Sequence, residues 1–186
     1  QEEGQPAHRP RGPPGRVRQC RLLLVRGIYD EVKRRASRSV EWHRSQGWIL
    51  DIALDHLSLG QAEMLSGGGD RARAAAHLNA AVDTIRKSGY LDFLPVTLIA
   101  RASLSRRCND GDRALRDLET AMKIIQRTGM RLFEADCLLE HAHIAIARGD
   151  ISGGRAHFQT AQSMIGQMGC RHRDKELSEL QGLLGV

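Results

Sequence analysis

Cys137 and His141 stand four residues apart, with His143 and His157 close by in the sequence. Two ligands at i and i+4 on one helix can share a divalent metal. His141 and His143 fall on different helical faces, however, and no second cysteine or carboxylate spacing completes a set, so no metal site is expected. Gly67-Gly68-Gly69 has the composition of a phosphate loop, but Asp70-Arg71 follows where such a loop ends in Lys-Ser or Lys-Thr. The triplet reads as a turn. Arg148-Gly149-Asp150 matches an integrin-type tripeptide and is read as a turn as well. Nucleophilic catalysis needs a serine or cysteine beside a base and an orienting acid. Cys20, Cys108, Cys137 and Cys170 are widely spaced, with no C-x-x-C pair, and the chain has no G-x-S-x-G motif. The expectation is a non-enzyme without a cofactor, its cysteines reduced and its location cytoplasmic. Arg106-Arg107 remains as a pair that could grip an anion or simply complement a helix dipole.

These residues sit on a repeated framework. Ala142, Gly149-Asp150, Gly154, Phe158, Ala161 and Gly169 form a skeleton that recurs forty residues earlier as Ala102, Asn109-Asp110, Ala114, Leu118, Ala121 and Gly129. Forty earlier still it reads Ala62, Gly69-Asp70, Ala74, Leu78, Ala81 and Gly89, and forty-two before that Cys20, Gly27, Val32, Ala36, Ser39 and Gly47. Self-similarity at a fixed period marks a stacked repeat architecture. In each copy the glycine suits a left-handed helix C-terminus, and the aspartate suits the N-cap of the next helix. The small, bulky and small residues at i, i+4 and i+7 share one face. Such a hairpin cannot bury its stripe alone and must lean on its neighbours.

Composition agrees. Aromatic content is only 4%, and an apolar fraction of 41% dominated by Ala and Leu suits close-packed helices rather than a β-sandwich. No apolar run approaches the roughly 18 residues of a membrane span. Residues 1–44 hold 11 Lys and Arg against 5 Asp and Glu, while residues 45–186 hold 17 of each, so the formal charge of +6 belongs to the first quarter. Starting at Gln1 rather than Met, the chain is expected to be part of a longer one.

Along the chain, residues 1–15 hold four of the five prolines and read as a linker or disordered tail. Helices are expected over about 16–26 and 30–46, 48–66 and 70–88, 92–107 and 112–128, and 131–147 and 151–168. Pro95 fits the first turn of its helix. A capping helix over about 172–184 would lay Leu177, Leu180, Leu183 and Leu184 on the last hairpin. The domain is thus 16–186, with repeats of about 16–47, 48–89, 90–129 and 130–169.

The Gly-Asp turn followed by small-x3-bulky-x2-Ala resembles the tetratricopeptide repeat (TPR), over residues 16–169. The period is 40 rather than 34, and Gly stands in place of the family's trailing Pro. Lengthened repeats of this kind, with phrases such as GWILDIALDHLSLGQA and GMRLFEADCLLEHA, resemble the C-terminal ends of bacterial signalling ATPases of the NACHT, NB-ARC and maltose-regulator type. HEAT repeats reach a similar length, but the Gly-Asp turn favours TPR. The resemblance implies an all-α, right-handed superhelical solenoid whose first helices line a partner groove. By family phase that groove includes His56, Leu59, Glu63, Ile99, Ser103, Arg106, Arg107, Asp136, Leu139 and His143. It lacks the repeated Lys/Arg/Asn clamp of TPRs that capture a C-terminal carboxylate.

The leading expectation is a protein-interaction scaffold, the partner-binding end of a larger bacterial regulator, with self-association open because the first hairpin lacks a polar cap. A second reading is nucleic-acid or acidic-partner binding through Arg16, Arg18, Arg21, Arg26, Lys33, Arg34, Arg35 and Arg38, although no aromatics interleave for base stacking. A third is small-molecule sensing in the groove.

Overall fold

The computed structural model describes residues 15–170 and 173–185, without the side chains of 15–18. All of the expected linker except Gly15, and the side chains of Arg16 and Arg18, lie outside the described residues. Among the described residues the chain is all-helical: α1 (Gly15–Val25), α2 (Tyr29–Ser45), α3 (Ile49–Leu65), α4 (Arg71–Ser88), α5 (Leu94–Arg107), α6 (Gly111–Thr128), α7 (Arg131–Ala147), α8 (Ile151–Met168) and α9 (Asp174–Leu184), with a 3-10 turn at Leu91–Phe93. Among the described residues no helix is long and apolar enough to cross a membrane.

The turns carry out the chemistry their sequences offer. Asp70 accepts from the Ala72 and Arg73 amides, Asp110 from Arg113 and Asp150 from Gly153, each satisfying helix-start donors that have no intrahelical partner. Gly89, Gly129 and Gly169 close α4, α6 and α8 in the left-handed conformation. Asn109 and Gly149 adopt it at the turns after α5 and α7, where Asn is the next-best residue after Gly. Gly69 departs from its copies, for α3 leaves through an extended Ser66 instead. Gly69 is required for space: a Cβ there would sit 1.7 Å from the Glu63 carbonyl oxygen. Pro95 lies in the first turn of α5, and the 3-10 turn before it delays that helix to Leu94, two residues later than expected.

Packing follows the repeated stripe. Ala74, Leu78 and Ala81 on α4, Ala114, Leu118 and Ala121 on α6, and Gly154, Phe158 and Ala161 on α8 are all buried, as are Val32, Ala36 and Ser39 on α2. Ala102 and Ala142 cluster with the α6 and α8 stripes and Ala62 with Cys20 and Val32, all three with no exposed surface. Small residues there bring the backbones together. A Cβ on Gly154 would press Ile146 at 2.8 Å, and one on Gly60 would press Leu78 at 2.6 Å. Helices pack consecutively, and each odd-numbered helix also touches the next odd-numbered one, from α1–α3 to α7–α9. On α9, Leu180 and Leu184 are buried and Leu177 packs against the same cluster, but Leu183 is 58% exposed. Leu183 therefore does not join the expected capping face. At 100° per residue it turns away from Leu177 and Leu180, leaving Leu184 to fill the seam.

Candidate functional site

The odd-numbered helices carry the residues expected to line a partner groove, and the structure divides them into three sets. Leu59 packs with Ala36 and Val40, and Leu139 with Phe158 and Ala161, so both belong to the core. Glu63, Asp136 and Arg106 are committed to neighbouring helices. Glu63 takes Lys33 of α2 at 3.6 Å, Arg106 donates to Glu140 of α7 at 2.7 Å, and Asp136 pairs with Arg173 before α9. His56, Ile99 and His143 are half-buried, Ser103 is nearly covered, and Arg107 is exposed.

Burial holds four half-buried histidines, His56, His77, His141 and His143, below the ordinary imidazole value. His56 and His77 bring their Nδ1 atoms to 3.0 Å across α3 and α4. Burial, with the neighbouring His77 and Arg44 adding to it, pushes His56 down to about 4, and burial also lowers His77. Burial likewise lowers His143, aided by Arg106, and His141, whose ring stacks on His157 at 5.3 Å. Cys137 is raised to about 12, chiefly by burial with Glu140, Asp136 and Glu134 nearby, and its thiol points at the Leu118 carbonyl. A thiol so placed is a poor nucleophile and a poor metal ligand. Its helical neighbour His141 turns instead to His157 on α8. Among the described residues no three His, Cys, Asp or Glu side chains converge as a metal site would require.

One polar contact between helices recurs at the repeat spacing in two copies, a pattern not read from the sequence. Arg101 of α5 forks onto Asp117 of α6 at 2.8 and 2.7 Å and reaches Asn79 of α4 at 3.3 Å. Forty residues on, the same two positions hold His141 and His157. Forty back, the first position holds Gln61 and the second His77, which pairs with His56 instead. The period carried that signal for these two copies, where a polar pair stands at matched positions. On α2 and α3, a buried His43–Asp55 contact of 2.6 Å has no counterpart in the other copies.

The basic quarter is partly self-neutralised. Arg34 and Arg35 both bind Glu31, and Lys33 bridges Asp30 and Glu63. Arg21, Arg26 and Arg38 are exposed, and among the described residues no ion pair involves them. The aromatic side chains concentrate elsewhere, at the turns between α2 and α3 and between α4 and α5. Trp42 and Trp48 meet edge to face at 4.9 Å, and Tyr90, Leu91 and Phe93 are exposed on the adjoining 3-10 turn. No protein-family model matches the chain, and comparison with curated proteins and with solved structures gives no match.

Proposed function

We propose that the chain is a non-catalytic protein-interaction scaffold, a right-handed solenoid of TPR-like hairpins that binds a protein partner along its odd-numbered helices. The observation that carries this reading is the contact pattern. Every odd-numbered helix touches the next one of its kind while the small-bulky-small stripe of the even helices is buried against it. A stack built this way grows in one dimension and offers a long surface rather than a single pocket. His56, Ile99, Ser103, Arg107 and His143 are the groove residues left to meet a partner. Glu63, Arg106 and Asp136 set the spacing of the helices that display them.

The test is capture from the native host by immobilised full chain, compared with Ser103→Arg and Arg107→Glu variants of unchanged helicity. Loss of the same captured protein with both variants supports the groove. Equal capture by all three chains overturns it. The nucleic-acid reading draws less support, because three of the eight expected basic side chains are held by acids of this chain. It predicts binding that weakens steeply as salt rises.

A further inference from the structure

We propose that the cleft between the α1–α2 turn and the α3–α4 turn binds a guanidinium group. Its guide is a second cleft in the same chain. Between the α5–α6 and α7–α8 turns lies a space of about 290 Å³ lined by Asp110, Asp112, Ile144 and Arg148, among others. There the chain supplies its own occupant. The Arg148 guanidinium reaches across from the end of α7 and donates to the Asp112 carboxylate in the first turn of α6. Gly111 leaves room for it, since a Cβ there would sit 3.1 Å from Arg148 Nη2.

The repeat carries the same positions into the first two copies. Two repeat spacings back, 82 residues for one and 80 for the other, Asp112 matches Asp30 and Arg148 matches Gly68. Both line the cleft between the first pair of turns, with Tyr29, Lys33, Ser66 and Gly67. The carboxylate is retained and the guanidinium is gone. Open space stands in its place: this cleft measures about 420 Å³, the larger of the two, and a Cβ built on Gly68 meets nothing within 4 Å. The Asp30 side chain is fully exposed.

The lining suits a planar cation. A guanidinium has five donors and no acceptor, so it needs acceptors around it. Asp30 and Glu63 outnumber the one cation between them, Lys33, which meets them at 3.5 and 3.6 Å and the Ser66 hydroxyl at 3.4 Å. Charge-assisted contacts are typically about 2.7–2.9 Å, so Lys33 holds Asp30 loosely and keeps Glu63 and Ser66 when Asp30 turns to a second cation. The Gly67 and Gly68 carbonyls accept no backbone hydrogen bond among the described residues. Tyr29, at the position of Gly111, adds a ring of the kind on which arginine stacks. An ammonium finds the same carboxylate but lacks the flat face and the forked donors. The glycine turn does not make this a phosphate site, because an anion would face Asp30 with Glu63 behind Lys33.

The experiment follows the backbone amides of the isotope-labelled full chain by NMR at low salt. Ethylguanidinium, the peptide acetyl-Gly-Arg-Gly-amide and butylammonium are each added at millimolar concentration. Both guanidinium compounds should shift the Tyr29, Gly67 and Gly68 signals saturably. Tighter binding of the peptide assigns the group to an arginine of a protein partner, and equal binding assigns it to a small guanidinium compound. Asp30→Asn should weaken binding about tenfold or more. Gly68→Arg, which restores the residue type of the second cleft, should abolish it. Arg148→Gly should create a second site, with new shifts at Gly111 and Asp112. All three substitutions fall on exposed residues, so helicity should be unchanged. Unmoved amides, equal shifts with butylammonium, undiminished binding to the Asp30 or Gly68 variant, or no second site in the Arg148 variant would each overturn the proposal. Ser103 and Arg107 lie on α5 outside this cleft, so this test and the groove test fail independently.

Discussion

Arg101 and Asp117 form a two-pronged ion pair between α5 and α6 at the place where α7 and α8 stack His141 on His157. One architecture therefore accepts an ion pair in one copy and paired imidazoles in the next, provided both positions change together. Removing one partner strands a buried charge. Asp117→Ala is expected to lower unfolding stability by about 3 kcal/mol, whereas Arg101→Met with Asp117→Leu should stay within about 1 kcal/mol of the parent. Urea denaturation of the three chains measures both; equal losses in the single and double variants would show that the pair is not the unit.

Acid should loosen the α3–α4 seam. His56 is depressed to about 4 in the folded chain against an ordinary value near 6.5, so the unfolded chain binds more protons between those values. Stability from this group is complete above pH 6.5 and is lost as pH falls through about 4. Lowered His77 acts in the same direction. The melting temperature is therefore expected to drop from pH 7 to pH 4.5. A His56→Gln, His77→Gln variant should flatten that slope, and an unaltered slope in the variant would contradict the assignment.

Two glycines inside helices should respond oppositely to alanine. Gly60 faces Leu78, where a Cβ would come within 2.6 Å of Cγ, so Gly60→Ala is expected to cost about 1–3 kcal/mol. Gly166 on α8 has open space around it, and Gly166→Ala should gain about 0.5–1 kcal/mol from helix propensity alone. Thermal melts of both variants read the signs directly. A gain at Gly60 would mean that α3 and α4 do not approach as closely as the structure has them.

Core deletion should be costly at matched positions of different copies. Leu78→Ala and Leu118→Ala each remove a fully buried side chain from the same place in successive hairpins. Each is expected to cost about 2–5 kcal/mol. Denaturant midpoints compare them, and a loss below 1 kcal/mol at either site would show that its stripe is not packed as described.

Much of the fold was legible because it is written in short range. The aspartate caps, the glycine closures, Pro95 and the i, i+4, i+7 stripe each depend on residues within about two turns of one another. Gly69 misled because a glycine can serve close approach as well as left-handed backbone, and its spacing is the same in either role. The groove was harder to read. Helical phase says which side Glu63, Arg106 and Asp136 occupy but not which charge stands opposite. Their partners Lys33, Glu140 and Arg173 lie 30 to 37 residues away on helices whose rotation the sequence does not reveal. The edge-to-face contact of Trp42 with Trp48 was missed for a similar reason: it spans the turn between α2 and α3, whose path helical phase does not give.

We propose that one helical hairpin, repeated, builds a right-handed stack. A crystal structure of the full chain tests it through the operation relating successive hairpins. The account predicts that a single right-handed rotation and translation carries α3–α4 onto α5–α6 and then α5–α6 onto α7–α8, with Ala62, Ala102 and Ala142 superposed. Two unrelated operations, or a left-handed one, would contradict it.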